Sequence, residues 1–137
     1  MRTILLLASV ALSRVASAEQ CPADFDEFIG AFETSAEFQI EHWKRPLTYR
    51  YLEASANAEP KPVEVAVTLE NAGEFAGVEF PSAAQRAQEK LEQTVAAPDP
   101  KTRVVRLSLE HSDLEIKYVF QQTAACWELT RVEDTAL

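Results

Sequence analysis

The sequence is short of the residues that most catalytic and cofactor motifs are made of. It has three glycines, and none flanks a serine at G-x-S-x-G spacing, so no nucleophile elbow is present. The same shortage excludes a phosphate-cradling loop and a dinucleotide fingerprint. Metal ligation needs several His, Cys or carboxylate groups at compatible spacing. The only histidines, His42 and His111, lie far apart in sequence, and the two cysteines form no C-x-x-C pair. Neither a metal nor a cofactor is expected. No apolar run reaches the ~20 residues of a membrane-spanning helix. Cations are scarce as well: 13 Lys and Arg stand against 22 Asp and Glu, a formal charge of −9. Such a surface repels nucleic acid and anionic lipid headgroups.

What the chain does have begins at its N-terminus. Arg2 precedes an apolar stretch over residues 3–15, and Ala16-Ser17-Ala18 follows as a small-x-small cleavage pattern. This is the layout of a secretory signal peptide over residues 1–18. It predicts a periplasmic or secreted protein, with residues 19–137 forming a single domain. The leader carries Arg2 and Arg14 and no acid, so its removal leaves the remainder still more acidic. In an oxidising compartment the even pair Cys21 and Cys126 reads as a disulfide joining the start of the domain to its last strand.

Hydrophobic periodicity divides the domain into helices followed by strands. Asp24-x-x-Glu27 is a capping box, and Phe25, Phe28, Ile29 and Phe32 then mark one apolar helical face. Thr34-x-x-Glu37 suggests a second helix that ends before Pro46. A short strand is expected over 48–52, a loop over 53–61, and a strand with alternating Val63, Val65, Val67 and Leu69. A long connection over 71–81 is held down by Phe75, Val78 and Phe80. Ser82-x-x-Gln85 opens a surface helix over 82–95, and residues 96–101 end it. Three strands with short turns complete the chain as an antiparallel meander: Val105, Leu107 and Leu109; Leu114, Ile116, Tyr118 and Phe120; Trp127 and Leu129. The fold class is α+β, with N-terminal helices packed on the apolar face of an antiparallel sheet.

Most ionisable residues have a structural role sufficient to explain them. Asp24, Asp26 and Glu27 crowd a helix N-terminus, where the macrodipole favours acids. His111 falls in a turn, and His42 falls near a helix end. The cluster that stands apart is His42, Trp43, Lys44, Arg45, Tyr49, Arg50 and Tyr51, aromatic and basic in an acidic chain. Trp43, Arg45, Tyr49, Arg50 and Tyr51 are the candidate ligand-binding residues, with arginine as donor and aromatic rings as stacking faces. No catalytic residue is assigned.

Phe25-Asp26-Glu27-Phe28-Ile29-x-x-Phe32, then Glu37-Phe38-Gln39, then Arg45-Pro46-Leu47 resembles the opening of a bacterial family of uncharacterised exported proteins. Lys117-Tyr118-Val119-Phe120 and the run from Trp127 to Asp134 resemble that family's last hairpin. Arg45 departs from the pattern, which usually has an aromatic residue before Pro-Leu. The resemblance implies a nuclear transport factor 2-like cone, a curved antiparallel sheet wrapped around helices, and no particular chemistry. The expected function is a non-catalytic exported domain that binds a small molecule or a protein. The alternatives are a small isomerase or lyase using the cone interior, or a structural accessory subunit of an envelope complex.

Overall fold

The computed structural model describes residues 21–136. The leader expected over residues 1–18 lies outside them. Helix α1 (Phe25–Thr34) starts at Asp24, whose carboxylate accepts the Glu27 N–H at 3.0 Å. Its buried stripe is Phe25, Phe28, Ile29 and Phe32. Helix α2 (Ala36–Glu41) is capped one residue later than the Thr34 box predicts. Thr34 still belongs to the last turn of α1 and donates its hydroxyl to the Ala31 carbonyl, so Ser35 Oγ accepts the Phe38 N–H instead.

Strand β1 (Trp43–Ser55) follows directly and pairs antiparallel with β2 (Ala58–Val67). The loop expected over 53–61 is therefore the far end of this hairpin. Its residues are exposed on both faces, so they lack the in–out alternation that marks a strand. Leu69 lies beyond β2 and is exposed. A single 3₁₀ turn (Ala72–Glu74) begins the connection to α3 (Ala83–Glu89), and Val78 and Phe80 anchor that connection in the core. The Ser82–Gln85 capping box forms as expected. No residue of α3 is buried; Arg86 ties it down through Glu33 at 2.7 Å and the Pro81 carbonyl at 2.8 Å.

Helix α3 ends at Lys90 in a left-handed conformation, well short of residue 95. Residues expected to finish the helix and its exit form strand β3 (Glu92–Asp99) instead, fully exposed along its length. Then come β4 (Thr102–Ser108), β5 (Glu115–Gln122) and β6 (Trp127–Asp134), the meander read from the sequence. The six strands form one sheet in the order β2-β1-β6-β5-β4-β3. The sheet is antiparallel except between β1 and β6, which run parallel. A bulge at Thr130 shifts the β5–β6 register. It lets Leu129 and Val132 both face the core in spite of their odd spacing.

The Phe-rich stripe of α1 covers the sheet. Phe25 meets Trp127 edge-on at 5.1 Å, and Phe25, Phe28 and Phe32 all pack on Phe120 at 5.2–5.7 Å between ring centroids. Phe80 closes on Tyr118 at 4.8 Å. Burial of such rings at ~25 cal/mol per Å² is the main stabilising force of the fold.

Candidate functional site

The five candidate ligand-binding residues all lie on β1, but the strand distributes them among three environments. Trp43 is buried, and its indole Nε1 has no hydrogen-bond acceptor among the described residues. The ring stands between two recesses. One, about 560 Å³, joins Trp43, Arg45 and Pro46 to the end of β2 and the exposed Leu69. The other, about 260 Å³, lies on the side of Gln39, Ile40, Phe75 and Val78. Arg45 is exposed and donates from Nη2 to the Ile40 carbonyl at 3.3 Å, which seats the guanidinium across the C-terminal end of α2. The Arg45–Pro46 peptide bond is cis.

Tyr49 and Tyr51 sit further along the same face, ring to ring at 5.9 Å. They line a separate hollow of about 360 Å³ with Phe75 and Asp134. The Tyr49 hydroxyl donates to Asp134 Oδ2 at 3.1 Å, and the Tyr118 hydroxyl donates to the Gly77 carbonyl at 2.8 Å. Both phenols are held well above the ordinary range. Burial is the main cause; for Tyr49 the Asp134 charge and its hydrogen bond add to it, and for Tyr118 the neighbouring Tyr49 and Asp134 do. Gly77 admits this close approach, because a Cβ there would lie 2.8 Å from the Tyr49 hydroxyl. Arg50 is exposed on the opposite face, level with Glu64 on β2 and Glu133 on β6. The cluster therefore pairs Trp43 with Arg45 and Tyr49 with Tyr51, and sets Arg50 apart from both.

A second cluster joins the disulfide to a residue that the sequence does not place beside it. Cys21 and Cys126 form the expected disulfide, with Cα atoms 5.4 Å apart. His42 Nδ1 lies 3.8 Å from each sulfur. The position of His42 follows from its backbone. As the C-cap of α2 it donates its N–H to the Phe38 and Gln39 carbonyls, and its own carbonyl accepts the Leu129 N–H of β6 at 2.7 Å. Cys126 directly precedes β6, and the Trp127 indole donates to the Ala23 carbonyl at 2.8 Å, which draws the Cys21 segment in. The histidine ring packs on Phe38 at 4.2 Å and edge-on to Phe28 at 5.7 Å. The three residues are half-buried, half-buried and buried, respectively, for Cys21, His42 and Cys126. The cysteine pair is legible in the sequence, but the histidine at the helix end is not tied to it there, since the sulfurs lie 21 and 84 residues away. His111, by contrast, is the exposed turn residue that was expected, with a positive φ of 61°.

No family model matches the chain, and no curated protein does. Among solved structures it is similar to a nuclear transport factor 2-like protein from Bacteroides fragilis, with a TM-score of 0.61 and 19% identity. That match covers 87% of this chain and 50% of the other, so the chain spans about half the length of that protein. A DUF4783 family protein from Bacteroides uniformis (TM-score 0.41, 12% identity, 82% of this chain and 95% of that one) is more remote. So is a nuclear transport factor 2-like protein from Novosphingobium aromaticivorans (TM-score 0.33, 16% identity, 80% of this chain and 71% of that one). Helices packed on an open, mostly antiparallel six-stranded sheet give this chain the α+β nuclear transport factor 2-like fold.

Proposed function

We propose that the protein is an exported, non-catalytic binding domain whose ligand site is the recess between Trp43, Arg45 and the end of β2. Its ligand is a small amphipathic molecule. The apolar body lies against Trp43, Pro46 and Leu69, and a negative group meets Arg45. One observation carries this reading: the Trp43 ring and the exposed Arg45 border the same apolar recess. The space between the helices and the sheet is occupied by Phe25, Phe28, Phe32, Phe120 and Tyr118, which favours binding at the rim over chemistry in the interior.

Calorimetric titration with a panel of small amphipathic carboxylates tests the site. Trp43→Phe shrinks the stacking face, and Arg45→Ala removes the cation. Both variants are expected to lose capture; Arg45→Ala should keep the melting temperature nearly unchanged, and Trp43→Phe should lower it only by what the smaller ring gives up in packing. Equal loss of binding and stability would assign these residues to packing. Export is tested separately, by N-terminal sequencing of protein recovered from outside the cytoplasm, which is expected to begin at Glu19.

A further inference from the structure

We propose that reduction of the Cys21–Cys126 disulfide converts this corner of the fold into a binding site for a thiophilic divalent cation of the zinc class. The ligands are Cys21 Sγ, Cys126 Sγ and His42 Nδ1. The geometry carries the inference. Zinc bonds of ~2.3 Å to sulfur and ~2.1 Å to nitrogen, at tetrahedral angles, place a sulfur and a nitrogen ligand about 3.6 Å apart. His42 Nδ1 already stands 3.8 Å from both sulfurs. All three ligand atoms lie within 4.8 Å of one another. Once the bond between the sulfurs is broken, rotation about the two cysteine χ1 angles separates them, and the backbone keeps its place.

The scaffold that holds the ligands does not depend on the disulfide alone. His42 is fixed by hydrogen bonds to α2 and to Leu129 of β6, and the Trp127–Ala23 bond keeps the Cys21 segment beside Cys126. Two thiolates and an imidazole form a set suited to zinc and disfavoured by hard cations such as magnesium. Cys21 and His42 are half-buried, and three protein ligands leave the fourth position to water or a small ligand.

The conversion balances as follows. An external dithiol attacks the disulfide, closes to its own disulfide, and delivers two electrons and two protons, leaving Cys21 and Cys126 as thiols. Cation binding then displaces those two protons, since the thiolate is the ligand form. An external disulfide then takes the two electrons back by thiol–disulfide exchange, is itself reduced to two thiols, re-forms the Cys21–Cys126 bond and releases the cation. The same corner thus alternates between a covalent staple and a cation site, according to the redox state around it.

The experiment titrates purified protein, oxidised or reduced with a phosphine, with cobalt(II) and then with zinc(II). Reduced protein is expected to bind one cobalt ion with thiolate-to-metal charge-transfer absorption and a tetrahedral visible spectrum, and zinc is expected to displace it. Oxidised protein is expected to bind neither. His42→Ala should weaken zinc binding by about tenfold or more, and Cys126→Ser should remove the charge-transfer band. Circular dichroism of the reduced protein with and without zinc guards against a trivial loss of fold: zinc should raise its melting temperature or restore its spectrum. Absence of a charge-transfer band in reduced protein overturns the proposal. So does undiminished binding by His42→Ala, or a reduced fold indifferent to zinc.

Discussion

Gln39 and Phe80 hold each other at both backbone poles. The Gln39 amide donates to the Phe80 carbonyl at 2.9 Å, and its oxygen accepts the Phe80 N–H at 2.9 Å. A second amide proton goes to the Phe32 carbonyl at 3.0 Å. This buried side chain bolts α2 to the long connection and to the end of α1. Gln39→Leu has a similar size but leaves three buried backbone groups unmatched. A loss of about 3 kcal/mol is expected, read as a lower urea midpoint with unchanged slope.

The buried phenols make stability fall at alkaline pH. Tyr49 and Tyr118 have folded pKa values raised above the ordinary 10.0. Their contribution is complete below pH ~10, where both states hold the proton, and is lost as the pH rises toward the folded values. Tyr118→Phe gives up the bond to Gly77, worth about 1 kcal/mol at neutral pH. It should also flatten the decline in melting temperature above pH ~10. A decline equally steep in the variant would assign the alkaline loss to other groups.

Two glycines offer a paired test. Gly77→Ala would push a methyl against the Tyr49 hydroxyl and within 3.2 Å of Asp134 Oδ2, whereas Gly73 has nothing within 4 Å. Gly77→Ala is expected to cost about 1–3 kcal/mol, and Gly73→Ala close to none. Thermal denaturation of the two variants side by side checks the difference.

The disulfide spans 105 residues. Closing a loop of that length in the unfolded chain is worth about 5 kcal/mol on the chain-entropy model. A Cys21→Ser, Cys126→Ser double variant is expected to lose most of this, measured by denaturant unfolding without metal. The oxidised wild type should show no free thiol.

Where one face of an element is buried and the other is wet, the sequence announces it. Phe25, Phe28, Ile29 and Phe32 repeat at helical spacing, and the alternation of β4 and β5 exposes the meander at once. Strand β3 and the tip of the β1–β2 hairpin are exposed on both faces, so nothing in their composition alternates. Backbone pairing alone makes them strands. The candidate site was legible only in pieces. Proximity along β1 pairs Trp43 with Arg45 and Tyr49 with Tyr51, but a pleated strand sends Arg50 to the other side. The neighbourhood of His42 depends on contacts across 21 and 84 residues, which no local pattern reports.

Strand β6 is the last of the six along the chain, yet it sits in the middle of the sheet, between β1 and β5. Until residues 127–134 leave the ribosome, the β1–β2 hairpin and the β3–β4–β5 ribbon have no common spine. The growing polypeptide must therefore wait, uncommitted, until that segment is made, and a chain cut short before Trp127 is left without the backbone pairing that joins the two halves of the sheet.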